Sequence, residues 1–338
     1  RILTINVWSG LDYSGYLKMG EYETAAVREQ RYQALVTQIK QLDPDLIGIQ
    51  EANKLPDYAE RLAKDTGYEV FFHMGVGGLR LGPVGLPWNL REGDALLAKK
   101  ILQPQFAGRK KLSGGYVGNW AAFHFSDATQ VIAVKIAVRN RPLYIFVTHW
   151  HASLLGSPGV LKKARELSDT GEASQRDVES VLEKIAEGVK WRLSESKKTV
   201  AFIQETADEH PFILMGDFNA ESGSEEITQL LQFGMVDLFH TMNPNVPGFT
   251  WDPGTNLNHH QYYLKEEISG KDSDLLSRLK KLHTATPKRI DYIFLGPADL
   301  LASWKVSIKS SSVVMDEVIN GAHASDHYGV FAEIEFRE

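Results

Sequence analysis

Two hydrophobic patterns alternate along this chain. Runs such as Ile2-Leu3-Thr4-Ile5, Leu46-Ile47-Gly48-Ile49 and Phe212-Ile213-Leu214-Met215 are nearly continuous in apolar residues, the signature of buried strands. Glu21 to Leu42 reads as a helix, with Ala26, Leu35, Ile39 and Leu42 among its apolar positions and Pro44 ending it. The strand Leu46 to Gln50 presents Glu51 at its tip. Pro56 to Thr66 is expected to be helical and Tyr68 to His73 extended. Further strands are expected over Ala95 to Ala98, Trp120 to Phe125, Val131 to Val138, Leu143 to Thr148, Phe212 to Met215, Arg289 to Phe294 and Val330 to Phe336. Strands in both halves with interleaved helices predict a sheet-on-sheet core covered by helices.

Two segments stand apart from that pattern. Gly75 to Asn89 is rich in Gly, Pro, Leu and Val, contains Trp88 and carries one Arg, Arg80. It reads as an apolar loop, either folded onto the core or forming a lip for a hydrophobic substrate or membrane surface. Between Ser153 and Ser196, Val178, Val181, Leu182, Ile185 and Val189 follow helical spacing with Glu and Lys opposite. That is an amphipathic helix with one side packed on the domain.

Composition narrows the class. A hydrophobic fraction of 43% and a charged fraction of 24% are those of a globular protein, and no run of about 18 apolar residues exists to span a membrane. The chain has no cysteine, which excludes disulfides, thiolate metal sites and cysteine nucleophiles. The formal net charge of −6 argues mildly against a dedicated nucleic-acid binder. The chain starts at Arg1, with a strand almost at once. The expectation is that an upstream segment has been removed, consistent with a secreted or extracytoplasmic location.

The candidate chemistry lies at strand ends. Met215-Gly216-Asp217-Phe218-Asn219-Ala220 breaks a strand at a glycine and delivers an acid and an amide two residues apart, a spacing that lets both act on one group. The chain also carries Thr4-Ile5-Asn6-Val7-Trp8, Ile49-Gln50-Glu51, Val147-Thr148-His149, Arg289-Ile290-Asp291-Tyr292 and Ser325-Asp326-His327. These six stations, in this order and spanning Asn6 to His327, resemble the endonuclease/exonuclease/phosphatase superfamily. The resemblance implies a four-layered α/β sandwich: two packed, mostly antiparallel sheets flanked by helices. It implies one catalytic domain over residues 1–338, with a helical insertion near 153–196 and the apolar loop near 75–89. It also implies metal-dependent hydrolysis of a phosphoester.

Roles follow from the resemblance and from what each side chain can do. Glu51 is the implied principal Mg²⁺ or Mn²⁺ ligand, with Asn6 and Asp326 assisting; hard oxygen donors suit those ions. His149 would stabilise charge on the phosphoryl oxygens. Asp217 and Asn219 would orient the attacking water and bind a phosphate oxygen. His327 would act at that water or the phosphate with Asp291 fixing its tautomer. The base is assigned jointly to Asp217 and His327, and in-line attack by water is expected. His151, two residues beyond His149, is a candidate substrate contact. So is Trp251, with the Asn/His-rich loop after it that includes Asn258. Where relatives have Gly-Asn-Ala-Ile-Leu-Ser, this chain has Gly93-Asp94-Ala95-Leu96-Leu97-Ala98. Asp94 thus adds negative charge, which suits a neutral or cationic substrate portion better than a polyanion.

The substrate expectation leans to a lipid phosphodiester, of sphingomyelinase or phospholipase C type. It rests on the acidic charge, the apolar loop and the aromatics Trp8, Trp88, Trp150 and Trp251. The alternative is a Mg²⁺-dependent nuclease, served by the cluster Lys99, Lys100, Arg109, Lys110 and Lys111. The alternative from a different class is a non-catalytic binding module of the same fold.

Overall fold

Strong local signals set most elements of the chain, which a computed structural model describes at residues 1–12, 19–77, 80–81, 84–85, 89–113, 121–122, 129–263 and 275–337. In order these are β1 (Ile2–Asn6), α1 (Ala25–Leu42), β2 (Leu46–Ala52), α2 (Asp57–Thr66), β3 (Glu69–Gly77), β4 (Arg80–Leu81), β5 (Val84–Gly85), β6 (Arg91–Ala98), β7 (Gln105–Ser113), β8 (Ala121–Ala122), β9 (Thr129–Val138) and β10 (Arg141–His149). There follow α3 (Pro158–Asp169), α4 (Gln175–Ala207), β11 (Phe212–Asp217), α5 (Glu225–Gln232), β12 (Val236–Asp237), α6 (Leu238–Met242), α7 (Leu275–Thr284), β13 (Asp291–Gly296), α8 (Ala298–Ser303), β14 (Val306–Val314) and β15 (Gly329–Phe336).

Two six-stranded sheets form, in the orders β14-β15-β1-β2-β6-β3 and β12-β13-β11-β10-β9-β7. In each, one central pair is parallel, β1 with β2 and β10 with β11, and the other pairs are antiparallel. The sheets face one another through Leu96, Ile145, Val147, Ile213, Met215, Ile293 and Val330. Each such fully buried side chain contributes roughly 1.5–3 kcal/mol. Leu35 and Ile39 of α1 and Leu62 of α2 cover one outer face. Phe202 and Ile203 of α4 and Ile227 and Leu230 of α5 cover the other. The layers run helix, sheet, sheet, helix, as the resemblance implied.

This topology gathers the strand ends. The parallel pairs release Asn6 beside Gln50 and His149 beside Asp217. Antiparallel pairing sets Asp291, the first residue of β13, opposite Asp217. β15 runs antiparallel to β1, so His327 just ahead of it arrives at the same edge.

The structure differs from the sequence reading in places. Helix α1 starts at Ala25 because Thr24 caps it, its Oγ1 accepting from Val27 N. Glu21 and Glu23 lie outside the helix and bind Arg28 and Arg31 instead. β7 and β14 were not expected; both are edge strands without long apolar runs. The amphipathic helix read at Val178 to Val189 belongs to α4, which continues past Ser196 to Ala207, and the segment 153–196 holds a second helix, α3, ahead of it. Its first half packs with α3 and α7 in a small separate cluster of Val160, Leu167, Val181, Ile185, Leu275 and Leu279. Leu182 points outward, 42% exposed. Of the expected strand Trp120 to Phe125, Ala121 and Ala122 form β8, and the rest lies outside the described residues, as does Trp88. Among the described residues no helix is long and apolar enough to cross a membrane.

Candidate active site

Unusual backbone geometry aims the side chains of the site. Trp8, Glu51 and Asn219 all have left-handed φ, at 56°, 56° and 47°. Non-glycine residues hold such values at a cost of about 1–3 kcal/mol each, and only where surrounding structure enforces them. Glu51 sits at a register shift between Ile49 and Ala52 on β2, a bulge that turns its carboxylate out of the ladder. Gly216, at φ 152°, lies so close to β10 that a Cβ there would stand 1.9 Å from Thr148 O. Glycine is thus required one residue before Asp217.

The central network is dense. Asn6 Nδ2 donates to Glu51 Oε1 at 2.9 Å and to Asp217 Oδ2 at 3.0 Å. Ser9 N donates to Glu51 Oε2 at 3.1 Å. Asp217 Oδ1 accepts from Asn219 N at 2.9 Å, and Asp217 Oδ2 lies 3.6 Å from His149 Nε2 and 3.9 Å from His327 Nε2. Asn219 Nδ2 lies 3.1 Å from His149 Nε2 and donates to Trp150 O at 3.0 Å. His327 Nδ1–H donates to Asp291 Oδ2 at 3.0 Å, which leaves Nε2 facing Asp217. Thr250 Oγ1 accepts from Asp291 N at 3.2 Å and steadies that carboxylate's backbone. Asn6, Glu51, His149, Asp217, Asn219, Asp291 and His327 thus meet in one network.

A supporting shell holds the loops that carry these groups. The guanidinium of Arg31, 4% exposed, grips Glu23 through Nε at 2.7 Å and Nη2 at 2.6 Å. It also donates to Val7 O and Ala324 O at 3.0 Å and to Trp8 O at 3.2 Å. Ser325 Oγ donates to Asn6 O at 2.6 Å and accepts from His327 N at 3.2 Å. Asp326 Oδ2 accepts from Tyr263 OH at 3.1 Å. Arg31 reads in sequence as an ordinary helix charge; its one hint is Glu23, eight residues upstream across a helix cap.

Charge is unbalanced at this edge. Burial works against a charged His149, yet Asp217, Glu51 and Asp94 outweigh it and hold the imidazole up at about 9. His327 is held up at about 10, against burial, chiefly by Asp291. Burial pushes Asp94 up to about 7, opposed by His149 and Gln130 and reinforced by Glu51 and Asp217. Asp326 is likewise pushed up by burial, with Glu51's charge adding to the effect. An excess of crowded carboxylates is the situation a hard divalent cation relieves. The donors fit one in part: Glu51 and Asp326 offer carboxylate oxygens, whereas Asn6, expected as a ligand, turns Nδ2 to Glu51 and its amide oxygen accepts from Trp8 N at 3.0 Å. Among the described residues, Asp217, Asp291 and His327 also present three ligand atoms within 4.8 Å of one another. Asp291 Oδ1 in that group is buried without a partner.

A cavity of about 340 Å³ opens beside the network, lined by Glu51, Glu92, Asp94, Thr129, His149 and Trp150 among others. Asp94 is 3% exposed and belongs to this wall. Trp251 stands edge-on to His327 with ring centroids 5.2 Å apart, its Nε1 donating to Thr284 O at 2.9 Å. The ring of His151 lies over Trp191 at 5.3 Å, and its backbone N donates to Glu195 at 2.9 Å. Asn258 is buried, its Nδ2 donating to Ser325 O at 2.8 Å. Two aromatics counted toward a lipid surface are interior: Trp8 is 5% exposed and Trp150, packed on Phe218, is 0% exposed. Glu195 of α4 is fully buried and accepts from Thr129 Oγ1 at 2.6 Å. Lys99 pairs with Asp43 and Asp45 at 2.9 Å. It follows β6 on the side away from Gly93, roughly 20 Å along the strand at about 3.3 Å per residue.

No protein-family model and no curated protein matches the chain. Solved structures do. TDP2 of D. rerio, complexed with a single-strand DNA product, is 14% identical over 99% of this chain and 98% of that one, with a TM-score of 0.59. Mannosyl-6-phosphatase Bt3783 of Bacteroides thetaiotaomicron is 15% identical over 99% of both chains, with a TM-score of 0.58. An endonuclease/exonuclease/phosphatase family protein of Leptotrichia buccalis is 17% identical over 99% of both chains, with a TM-score of 0.55. The chain therefore has the endonuclease/exonuclease/phosphatase fold.

Proposed function

We propose that the protein is a metal-dependent phosphoester hydrolase that attacks its substrate in line with water. The observation that carries this reading is Asp217, whose carboxylate has Asn6 Nδ2 at 3.0 Å, His149 Nε2 at 3.6 Å and His327 Nε2 at 3.9 Å. One acid surrounded by donors at the meeting of two sheets suits a nucleophilic water beside an anionic phosphoryl group. Glu51 and Asp326 would hold Mg²⁺ or Mn²⁺, with Asn6 Nδ2 orienting the Glu51 carboxylate; the ion when bound supplies Lewis-acid neutralisation of phosphoryl charge.

The chain's own groups do the rest. Asp291 keeps the proton of His327 on Nδ1, and the raised imidazole presents a second N–H at Nε2 toward Asp217 and the phosphate. Asp217 is then the acceptor for the proton of the attacking water, and the His327 imidazolium acts beside it as a donor that steadies the carboxylate and the phosphate. His149 donates to a non-bridging oxygen as charge builds there, and Asn219, tied to Trp150 O, positions His149 and Asp217. Trp251 packs edge-on against His327, Asp94 forms part of the cavity wall and Asn258 supports the loop from behind, while the ring of His151 lies over Trp191 and does not line the cavity.

A phosphodiester with a neutral or cationic group, lipid headgroups included, is the favoured substrate. Glu51, Glu92 and Asp94 in the cavity repel a polyanion, and Lys99 of the expected basic cluster is tied to Asp43 and Asp45. Two fold neighbours mark the range: TDP2 was solved with a DNA product, and Bt3783 is a mannosyl-6-phosphatase. The test is hydrolysis of sphingomyelin and other phospholipid vesicles, plasmid DNA, mannose 6-phosphate and a chromogenic diester, each with Mg²⁺ and with EDTA. Metal-dependent release of a phosphorylated headgroup supports the lipid reading. Nicked DNA without lipid turnover replaces it with a nuclease. Inactivity on every substrate, with no response of stability to metal, leaves a binding module.

A further inference from the structure

Asp326 is gripped from behind by one short stretch of chain. Asn256 Nδ2 and Asn258 Nδ2 both donate to Ser325 O, at 3.0 and 2.8 Å. Leu257 N donates to His323 Nδ1 at 3.0 Å. His259 Nε2–H donates to Asp326 O at 2.8 Å, and Tyr263 OH donates to Asp326 Oδ2 at 3.1 Å. The last two come from a single π-helical turn, His259–Tyr263, a local distortion that spaces two donors onto one residue. Of the first four contacts, three end on the loop carbonyls of Ser325 and Asp326 and one on the His323 ring. The fifth reaches the carboxylate itself.

We propose that Tyr263 is a positioning residue for the cation site: its hydroxyl locks the rotamer of Asp326, and with it the affinity of the Glu51–Asp326 pair for a divalent ion. This rests on the metal-dependent reading above. A carboxylate free to rotate must be ordered when the ion binds, and a fixed donor on one oxygen removes that cost and orients the other lone pairs. The ring is held independently of its hydroxyl. Its centroid lies 5.4 Å from His259, 5.6 Å from Tyr22, 5.9 Å from Trp251 and 6.0 Å from Trp8. Tyr263→Phe therefore removes the donor and leaves the packing.

The experiment is a Mg²⁺ titration of the full chain, read by the metal-dependent shift in unfolding temperature and by isothermal calorimetry. Wild type, Tyr263→Phe and Tyr262→Phe are compared. Tyr262 belongs to the same aromatic group and packs on Trp8 at 5.3 Å. Tyr263→Phe is expected to bind Mg²⁺ about 10–100-fold more weakly, with its metal-free unfolding temperature lowered by no more than about 4 °C and its kcat restored at saturating Mg²⁺. Tyr262→Phe is expected to bind as wild type does. Equal affinity in wild type and Tyr263→Phe overturns the proposal while leaving the hydrolase reading intact. Absence of any Mg²⁺ response in wild type brings down both.

Discussion

Replacing Arg31 by Met should expose how the site is braced. Its guanidinium uses two donors on Glu23 and the other three on the carbonyls of Val7, Trp8 and Ala324. Both partners are out of solvent, with side-chain exposures of 5% and 0%. Met keeps most of the volume but strands a buried carboxylate, whose remaining partner is Arg28 Nε at 3.3 Å. Removing one member of a buried pair costs about 3–5 kcal/mol. At about 2.1 cal/mol/K of unfolding entropy per residue, the 338 residues give about 0.7 kcal/mol/K, so Tm should drop by roughly 4–7 °C. The double variant Arg31→Met/Glu23→Leu removes the stranded charge and should recover about half of that loss; the three orphaned carbonyls account for the rest, at about 0.5–1.5 kcal/mol each. Equilibrium urea unfolding of wild type, single and double variants measures these values. Val7 and Trp8 follow Asn6, and Ala324 precedes Asp326 by two residues, so both variants should also need more Mg²⁺ for half-maximal activity. A single variant within about 1 kcal/mol of wild type, or a double variant no better than the single, would refute this reasoning.

Other outcomes follow from the same geometry. Asp291→Asn keeps the volume but removes the charge on His327 Nδ1, and should lower kcat by about 10²–10⁴ with KM little changed. His327, held up at about 10 chiefly by Asp291, should then lose its proton at lower pH. Activity that needs the imidazolium disappears as pH rises through its pKa, so the alkaline limb of the pH–rate profile should move down; an unmoved limb contradicts the assignment. His259 gives a pH signature in stability. It is fully buried, its Nδ1 has no partner, and burial depresses it to about 3. The unfolded chain takes up its proton near 6.5 while the folded one does not, so this group's contribution is lost as pH falls below about 6.5. The loss is about 1.4 kcal/mol per pH unit. Urea titrations at several pH values should show a shallower acid slope for His259→Gln than for wild type, and parallel slopes would argue against it.

The parts legible in sequence were those fixed locally. Apolar runs ending in Asn6, Glu51, His149 and Asp217 marked strands whose tips carry chemistry, and the topology brings all four together. What stayed hidden depends on partners far along the chain. Asn258 reads as pocket lining and Tyr263 carries no signal at all, because nothing local reveals Ser325 and Asp326, more than sixty residues away, as their acceptors. Arg31 and Glu195 sit on helices where a charge ordinarily faces water; only the packed structure shows both buried. The left-handed φ of Glu51 was equally invisible, since nothing in Ile49-Gln50-Glu51 signals the bulge that turns the carboxylate toward Asn6.

The central claim is hydrolysis that depends on a cation held by Glu51. Its most direct test is the rate of a chromogenic phosphodiester with Mg²⁺ and with EDTA, for wild type and Glu51→Gln. Glu51→Gln keeps the side chain's size and can still accept from Ser9 N. Turnover by wild type with Mg²⁺, abolished by EDTA and reduced at least about 100-fold in Glu51→Gln, is the expected result. Turnover that survives EDTA, or a Glu51→Gln variant as active as wild type, would contradict it.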